Sequence, residues 1–387
     1  MNAAANARTG NPLTRARRAV VDANDRVRDA WAGAPTWQRW IVYGLLLVVV
    51  LLAPNEAVGR IMSPESHWPT LLFHPIGTYI LLAIGLNVVV GQAGLLDLGY
   101  VAFFAIGGYS MALLGTKAGW NFWEIVFAGV FLCAAAGVIL GAPTLRLRGD
   151  YLAIVTLGFG EIVRIIANNT DAIGASRGIN NIPHPPSIEG VTVDDVEPFH
   201  YGVVDPRPYY YLLVVFAVLI IILVRRLENS RVGRAWAAIR EDEDAAEIMG
   251  VPTFRFKLLA FAMGAMIGGL TGVIWASKVI SIIPGNFPFI LSATVLAAVV
   301  LGGAGNLPGV IVGAFLIAWL PERFRALSDY RIMAFGGALV LMMIFRPEGL
   351  LPSRRRRAEL AEGTGGMGTL GAEVGAPIAE AREEAGR

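Results

Sequence analysis

The chain has 387 residues, of which 55% are hydrophobic and only 16% are charged, and its mean hydropathy is +0.57. Soluble globular proteins carry roughly a quarter charged residues, so the composition excludes an ordinary soluble domain and favours a protein that resides in lipid. The net charge of +2 predicts no partner by itself, and the sequence contains no basic aromatic patch of the kind that binds nucleic acid.

Both ends of the chain are predicted to lie outside the membrane. Residues 1–36 precede the first apolar stretch and carry six arginines, which is too long and polar a lead for a cleaved signal peptide. We expect this N-terminal cytoplasmic segment to stay attached. Residues 353–387 are rich in Gly, Ala and Glu with few large apolar residues, so they predict a disordered cytoplasmic tail.

Residues 37–352 contain the apolar runs of a transmembrane domain with about ten helices, within a range of eight to ten. A helix that spans roughly 30 Å of hydrocarbon needs about twenty mainly apolar residues. Long runs such as Tyr211–Val224 lack the alternation of barrel strands, so the fold class is an all-α polytopic membrane protein. The predicted spans are residues 37–53, 70–90, 95–115, 122–142, 150–168, 208–224, 257–280, 286–303, 307–320 and 332–346.

The charges predict which loops face the cytoplasm. Ten alternating spans place both termini on one side, and basic residues mark that side as cytoplasmic. It receives the N-terminal arginines, Arg146 and Arg148, the loop of residues 225–256 and the cluster Arg354–Arg357. The predicted external loop, residues 169–207, carries Asp171, Glu189, Asp194, Asp195, Glu197 and Asp205. The connection of residues 321–331 departs from the rule with three arginines, which a miscount near the ninth span would explain.

Charged residues and glycines inside spans are candidates for the translocation pathway. A charge within a span costs roughly 2.5 to 3.5 kcal/mol on insertion scales, so Asp97, Glu161 and Arg164 need polar surroundings. Glu161 and Arg164 are spaced i, i+3 and can either pair structurally or line the pathway. Freed backbone groups of a broken helix could contact a zwitterion, and tight helix packing is the alternative for the same glycines. This second set of candidates is Gly91, Gly94, Asp97 and Gly99.

Two glycine-rich segments resemble each other faintly. Gly91-Gln-Ala-Gly-Leu-Leu96 echoes Gly302-Gly-Ala-Gly-Asn-Leu307, and each segment lies near the boundary of a predicted span. An internal duplication of the kind found in transporters is one explanation of this similarity. A chance similarity between the two short segments is the other explanation.

The charged loop, residues 225–256, contains a dense polar sequence between two apolar helices. Asp242 can cap a short helix, Glu243 suits the positive end of its dipole, and Gly250 supplies a stop, so we expect a surface helix that ends near Met249. Two neighbouring alanines, Ala245 and Ala246, would form a small-residue face for close docking, with Ile248 and Met249 as apolar anchors. A solvated connecting loop is the alternative interpretation.

This loop resembles a motif of ABC importers. Asp244-Ala-Ala-x-x-x-Gly250 is similar to the Glu-Ala-Ala-x-x-x-Gly coupling loop of ABC importer permeases, with aspartate at the position of the glutamate. Residues 91–107, 146–164 and 345–351 resemble the LivM-type branched-chain amino acid permeases, in the same order along the chain. The resemblance covers residues 71–351 and leaves out both tails.

The resemblance implies a multi-pass permease subunit in the bacterial plasma (inner) membrane. A second permease subunit, two cytoplasmic ATP-binding subunits and an external or periplasmic substrate-binding protein are the implied partners, with branched-chain amino acids as substrate. The residues implied to couple this chain to the ATPase are Glu243, Asp244, Ala245, Ala246, Met249 and Gly250.

No catalytic, metal or cofactor site is expected. The lysines Lys117, Lys257 and Lys278 do not form the Gly-Lys-Ser/Thr motif that cradles phosphate, so the chain is not expected to hydrolyse ATP itself. A single cysteine, Cys133, lies in an apolar run and reads as a packed thiol. The four histidines show no metal-binding spacing.

Three other functions remain open at this stage. Related ABC permeases are associated with urea or short-chain amides, although the run Leu96–Tyr100 looks more like the amino acid group. An ATP-independent secondary transporter or channel has similar hydropathy, and the charged loop argues against it. A membrane scaffold without transport is disfavoured by the glycine-rich spans.

Overall fold

A computed structural model describes residues 35–64, 66–145, 150–187, 200–202, 204–323 and 349–351, together with positions 333, 336, 337 and 340. The chain divides into two compact units, residues 1–55 and residues 56–387. The first unit contributes α1 (Thr36–Leu52) to the described residues. The helices of the second unit are α2 (Glu56–Met62), α3 (Trp68–Gln92), α4 (Val101–Thr116), α5 (Phe122–Thr144), α6 (Asp150–Asn169), α7 (Arg207–Glu228), α8 (Arg231–Glu241), α9 (Glu243–Ile248), α10 (Thr253–Val279), α11 (Phe289–Gly302) and α12 (Leu307–Arg323).

The fold class predicted from the sequence is confirmed. Among the described residues, six helices are long and apolar enough to cross a membrane, and no strand occurs apart from an isolated bridge between Ile179 and Ile282. Nine predicted spans coincide with observed helices. Several predicted features lie largely or wholly outside the described residues: most of the tenth span at residues 332–346, the 321–331 connection after position 323, the link with Arg146 and Arg148, residues 188–199 of the external loop, residues 1–34 and the C-terminal tail. The span count and the sides of the termini stay predictions.

The start of the third predicted span, residue 95, is wrong, because the helix begins at Val101. Residues 93–100 are irregular instead. Gly94 has φ of +74°, a conformation that ends a right-handed helix, and Asp97 Oδ1 accepts a hydrogen bond of 2.8 Å from the Gly99 N–H. Hydropathy does not detect this break because Leu95, Leu96 and Leu98 keep the segment apolar.

Helices α3 and α10 form the core of the second unit. In each helix 72% of the most apolar window is buried within the protein, against 33% in α5 and 28% in α6 and α7. Glycines let α4 and α10 approach closely: a Cβ added to Gly272 would lie 2.1 Å from the Phe104 carbonyl oxygen, and one on Gly107 would lie 2.0 Å from Gly269 O. Small residues at such crossings are the usual means of packing helices in lipid.

The two long loops lie at opposite ends of α10. The first turn of α10 contacts the charged loop, where Trp236 Nε1 donates to Phe256 O. The chain after the last turn instead pairs with the 169–207 loop through hydrogen bonds between Ile179 and Ile282 of 2.9 and 3.0 Å. Burial lowers the pKa of His184 in that second loop, so its imidazole is neutral at pH 7. The positions of the two loops at opposite ends of α10 agree with the prediction that the loops face opposite sides of the membrane.

The close crossing of α4 and α10 predicts that Gly272→Ala destabilises the protein. The added methyl group collides with the backbone of α4, and such overpacking costs about 1 to 3 kcal/mol. We expect a lower midpoint of thermal unfolding for the detergent-purified protein. The matched control is Gly44→Ala in α1, where an added Cβ meets no atom within 4 Å. An unchanged midpoint for Gly272→Ala would show that the two helices do not cross here.

Candidate functional site

Helix α8 is an amphipathic helix that lies against the start of α10. The Ser230 side chain caps its first turn by accepting a hydrogen bond of 3.1 Å from the Val232 N–H. Trp236 is completely buried, and its indole Nε1 donates to Phe256 O at 2.8 Å. These contacts fix one face of α8 to the transmembrane domain.

Helix α9 begins and ends as the sequence predicts. Asp242 Oδ1 accepts hydrogen bonds from the backbone N–H groups of Asp244 at 2.9 Å and Ala245 at 3.0 Å. Met249 is the C-cap, and Gly250 follows with φ of +86°, which glycine adopts without strain. The predicted surface helix is therefore confirmed, and the alternative of a solvated connecting loop is wrong for these residues.

An ion pair attaches the first turn of α9 to α10. The Lys257 ammonium contacts Glu243 Oε1, and the lysine side chain is 3% exposed while the glutamate side chain is 28% exposed. A buried ammonium without a counter-charge is strongly unfavourable, so Glu243 compensates for the burial of Lys257. Among the predicted coupling residues, Glu243 thus holds α9 in place.

The outer face of α9 differs from the predicted one. Ala245 is exposed but Ala246 is buried, at 5% exposure, so the two alanines do not form one docking face. Their adjacent positions on a helix point in different directions, which explains the difference. The apolar residues that follow, Ile248 and Met249, are 85% and 83% exposed. Ala245, Ile248 and Met249 therefore form the accessible apolar part of this tip, beside the exposed carboxylate residues Asp244 and Glu247.

The predicted broken-helix residues occupy a tightly packed region. Gly91 and Gly94 belong to the first glycine turn, residues 91–94, at the end of α3. A Cβ on Gly91 would lie 2.4 Å from the Gly305 nitrogen, and one on Gly99 would lie 1.9 Å from the Thr156 carbonyl oxygen. These contacts favour close packing over direct contact with a substrate.

Asp97 lies within the same packed region and is 1% exposed. Its Oδ1 accepts from Gly99, whereas its Oδ2 has no hydrogen-bond partner in the described part of the chain. The Leu98 N–H in the same irregular segment donates to Thr156 Oγ1 at 3.0 Å. The surrounding protein therefore shields the Asp97 side chain from solvent.

Two other predicted pathway residues lie beside a groove. Arg164 donates from Nε and Nη2 to Glu161 Oε2 at 2.9 and 2.7 Å, which confirms the predicted i, i+3 pair. Arg164 also lines a narrow, closely packed groove between α4 and α6 that has no room for a water molecule in this subunit alone. The other groove residues are mainly apolar: Val101, Ala102, Ala105, Tyr109, Gly160, Val163, Ala167, Pro284 and Phe287.

The two similar glycine segments meet in space. The second glycine turn, residues 302–305, lies at the end of α11, and its Gly305 N–H donates to Asn87 Oδ1 at 2.8 Å. Arg240 of α8 also donates from Nη1 to Gly91 O. Sequence similarity suggested that the segments are related, but it carried no information on their contact.

Two residues of this site were missed in the sequence. Lys257 was considered only as a phosphate ligand, although its place four residues after Thr253, at the start of an apolar helix, required a counter-charge. Arg240 was not singled out from the other charges of this loop. A serine at 230 followed by apolar residues at 232, 235, 236 and 239 is the helical pattern that could have predicted α8.

Comparison with known proteins identifies a family over most of the chain. The family model described as the permease component of branched-chain amino acid transport systems matches residues 72–346. The high-affinity branched-chain amino acid transport system permease protein LivM of Escherichia coli K12 is 44% identical over 299 residues, which cover 74% of this chain and 70% of that protein.

More distant relatives carry related descriptions. A probable LivM of Methanocaldococcus jannaschii is 26% identical over 311 residues, which cover 70% of this chain and 84% of that protein. The E. coli K12 permease protein LivH is 24% identical over 285 residues, covering 71% of this chain and 91% of that protein. No solved structure matches this chain.

The ion pair between α9 and α10 predicts a non-additive double-mutant cycle. Glu243→Gln leaves the buried ammonium of Lys257 without its counter-charge, which costs about 2 kcal/mol. We expect a lower unfolding midpoint for that variant in detergent. The double variant Glu243→Gln with Lys257→Met should recover most of the loss, because no buried charge remains. Equal midpoints for the single and double variants would contradict this role of the pair.

Proposed function

This chain belongs to the family of branched-chain amino acid transport permease components, and on that premise we propose that it is one permease subunit of an ATP-driven importer. In this proposal a second permease subunit completes the pathway, two cytoplasmic ATP-binding subunits drive it, and an external binding protein delivers the substrate. The family match from residue 72 to residue 346 includes the charged loop, both glycine turns and the groove.

The single observation that carries the proposal is the exposed tip of α9. A contiguous exposed apolar patch that is rimmed by polar residues is a common mark of a protein interaction site. Ile248 and Met249 are more than four-fifths exposed, while Asp242, Glu243 and Trp236 hold the helices behind them. A rigid helix with an accessible tip suits docking into a groove of another subunit, because its displacement moves the helices to which it is attached.

The groove between α4 and α6 is proposed to be this subunit's part of the pathway. Its mainly apolar wall suits a branched aliphatic side chain, and the Arg164 guanidinium suits a carboxylate. The Glu161 and Arg164 side chains are 31% and 41% exposed in this subunit alone. Charges on a helix face are costly against lipid, so we place this face towards the second permease subunit and the water-filled pathway.

ATP hydrolysis is assigned to the separate subunits, and this chain is assigned the transport step. The sequence lacks the Gly-Lys-Ser/Thr motif of a phosphate loop, which supports that division. The proposed location is the bacterial inner membrane, with the charged loop in the cytoplasm. Arginines at that end of the described structure, including Arg225, Arg226, Arg231 and Arg234, agree with this orientation.

The proposed substrates are leucine, isoleucine and valine. The names of the relatives support this class over urea or short amides, since LivM and LivH are described as branched-chain amino acid permease proteins. The attached helix α9, with its exposed apolar tip, favours an ATP-driven system over a secondary transporter.

The exposed tip of α9 predicts that Ile248→Ser combined with Met249→Ser weakens binding of the ATP-binding subunits. Each buried apolar anchor contributes about 1.5 to 3 kcal/mol, so we expect at least roughly tenfold weaker association. The measurement is co-purification and ATP-driven uptake of radiolabelled leucine in proteoliposomes. Val204→Ser is the matched control, because Val204 is 93% exposed and lies in the opposite loop. Full association and uptake in the double variant would rule out docking at α9.

The groove predicts a different effect for the Glu161–Arg164 pair. The double variant Glu161→Gln with Arg164→Met removes both charges together, so an ion pair with a purely structural role is not left half-paired. If Arg164 contacts the substrate carboxylate, losing one charge-assisted hydrogen bond should raise the KM for leucine uptake roughly tenfold. Assembly and ATPase activity should stay normal. Normal uptake kinetics in this variant would remove Arg164 from the pathway.

A further inference from the structure

The arginine at the end of α8 connects the charged loop with the first glycine turn. Arg240 lies in the last turn of α8 and donates from Nη1 to the carbonyl oxygen of Gly91. Its stem packs on the same turn, since a Cβ added to Gly94 would lie 2.9 Å from Arg240 Cγ. Because glycine has no side chain, the guanidinium group can approach the backbone of the turn and make a charge-assisted hydrogen bond to it.

The second glycine turn reaches the same arginine. A Cβ added to Gly305 would lie 2.7 Å from Arg240 Nη1 and 2.8 Å from Gly91 O. Asn87 holds the two turns together, because its Oδ1 accepts the hydrogen bond from the Gly305 N–H. The ends of α3 and α11 are therefore in contact with each other and with one guanidinium group.

The first glycine turn is connected to both walls of the groove. The irregular residues 95–100 lead from this turn into α4, whose first residues form one wall. The Leu98 N–H donates to Thr156 Oγ1 of α6, which forms the other wall, at 3.0 Å. The Val101 N–H donates to Ser292 Oγ of α11 at 2.9 Å. The turn is thus joined to α4 by the chain itself, and to α6 and α11 through the hydrogen bonds of residues 98 and 101.

The remaining attachments of the charged loop lead to a different helix. Trp236 bonds to Phe256 and Glu243 pairs with Lys257, and both of these partners lie in the first turns of α10. The contact of this loop with the first glycine turn includes the hydrogen bond that Arg240 donates to Gly91 O. The contacts to α10 and the contact to the turns can therefore be tested separately.

We propose that Arg240 is a positioning residue that transmits movement of the charged loop to the two glycine turns and, through them, to the groove. The inference rests on the proposed function, in which ATP-binding subunits displace α9. Asp242, which caps α9, is two residues from Arg240, so a rigid movement of α9 displaces the arginine. The guanidinium then carries the Gly91 carbonyl group with it, and the paired turns move as one unit.

The test measures ATP hydrolysis and leucine uptake in the same proteoliposomes, containing the full complex with its binding protein. Arg240→Met keeps an apolar stem and removes the hydrogen bond. We expect this variant to assemble and hydrolyse ATP, while the number of leucine molecules transported per ATP falls at least about fivefold. Arg240→Lys, which restores a donor, should recover part of this ratio. Arg234→Met is the matched control on α8, because Arg234 is exposed and bonds to Asn229 O of the preceding turn.

An unchanged transport ratio in an assembled Arg240→Met complex would overturn the inference. Loss of the ratio in both Arg240→Met and Arg234→Met would also overturn it, since the effect would then follow from charge alone. If the proposed function itself is wrong, the unmodified chain will copurify with no ATP-binding subunit. This result distinguishes it from a failure of the inference about Arg240.

A second measurement applies even if Arg240→Met does not assemble. Spin labels attached to Glu241→Cys and Leu96→Cys in the otherwise unmodified complex report the distance between α8 and the segment that directly follows the first glycine turn. Cys133 is fully buried and should not react with the label. We expect ATP binding to leave this distance constant while α9 moves relative to α7. A change above about 2 Å between α8 and the turn would show that they do not move together.

Discussion

In a hydrocarbon layer, every backbone group that a broken helix releases must find a partner inside the protein. This chain breaks its helices at the two glycine turns, and side chains from other helices satisfy the released groups. Thr156 and Ser292 accept from the N–H groups of Leu98 and Val101, Asn87 accepts from Gly305, and Arg240 donates to Gly91. The breaks thus join helices that are distant in sequence, and the position of each joined helix depends on the others.

The charged loop uses the same requirement at the surface of the domain. Asp242 satisfies the first N–H groups of α9, and Glu243 compensates a lysine buried among apolar helices. These contacts make the loop rigid up to its exposed apolar tip. A partner that binds this tip therefore acts on the start of α10 through the ion pair and on the glycine turns through Arg240. The connection through Arg240 and the glycine turns continues to the groove between α4 and α6.

Hydropathy and charge predicted the all-α class and nine of the observed helices, because long apolar runs between polar loops have few other solutions in a membrane. Capping residues predicted α9, since an aspartate before the helix and a glycine after it act locally. The break at residues 93–100 was missed because its leucines keep it apolar, and α8 was missed because its buried face is short. The contact between the two glycine turns depends on groups separated by more than two hundred residues, the Asn87 side chain and the Gly305 N–H, which local patterns do not relate.

The proposed function requires the tip of α9 to dock onto an ATP-binding subunit on the cytoplasmic side. Labelling of Met249→Cys with a membrane-impermeant maleimide tests it directly, because Cys133 is buried and gives little background. Docking at α9 predicts that Met249→Cys is labelled in inside-out vesicles and not in right-side-out vesicles. The ATP-binding subunits, when present, should protect this cysteine from labelling. Labelling from the outside, or labelling that these subunits do not reduce, would contradict it.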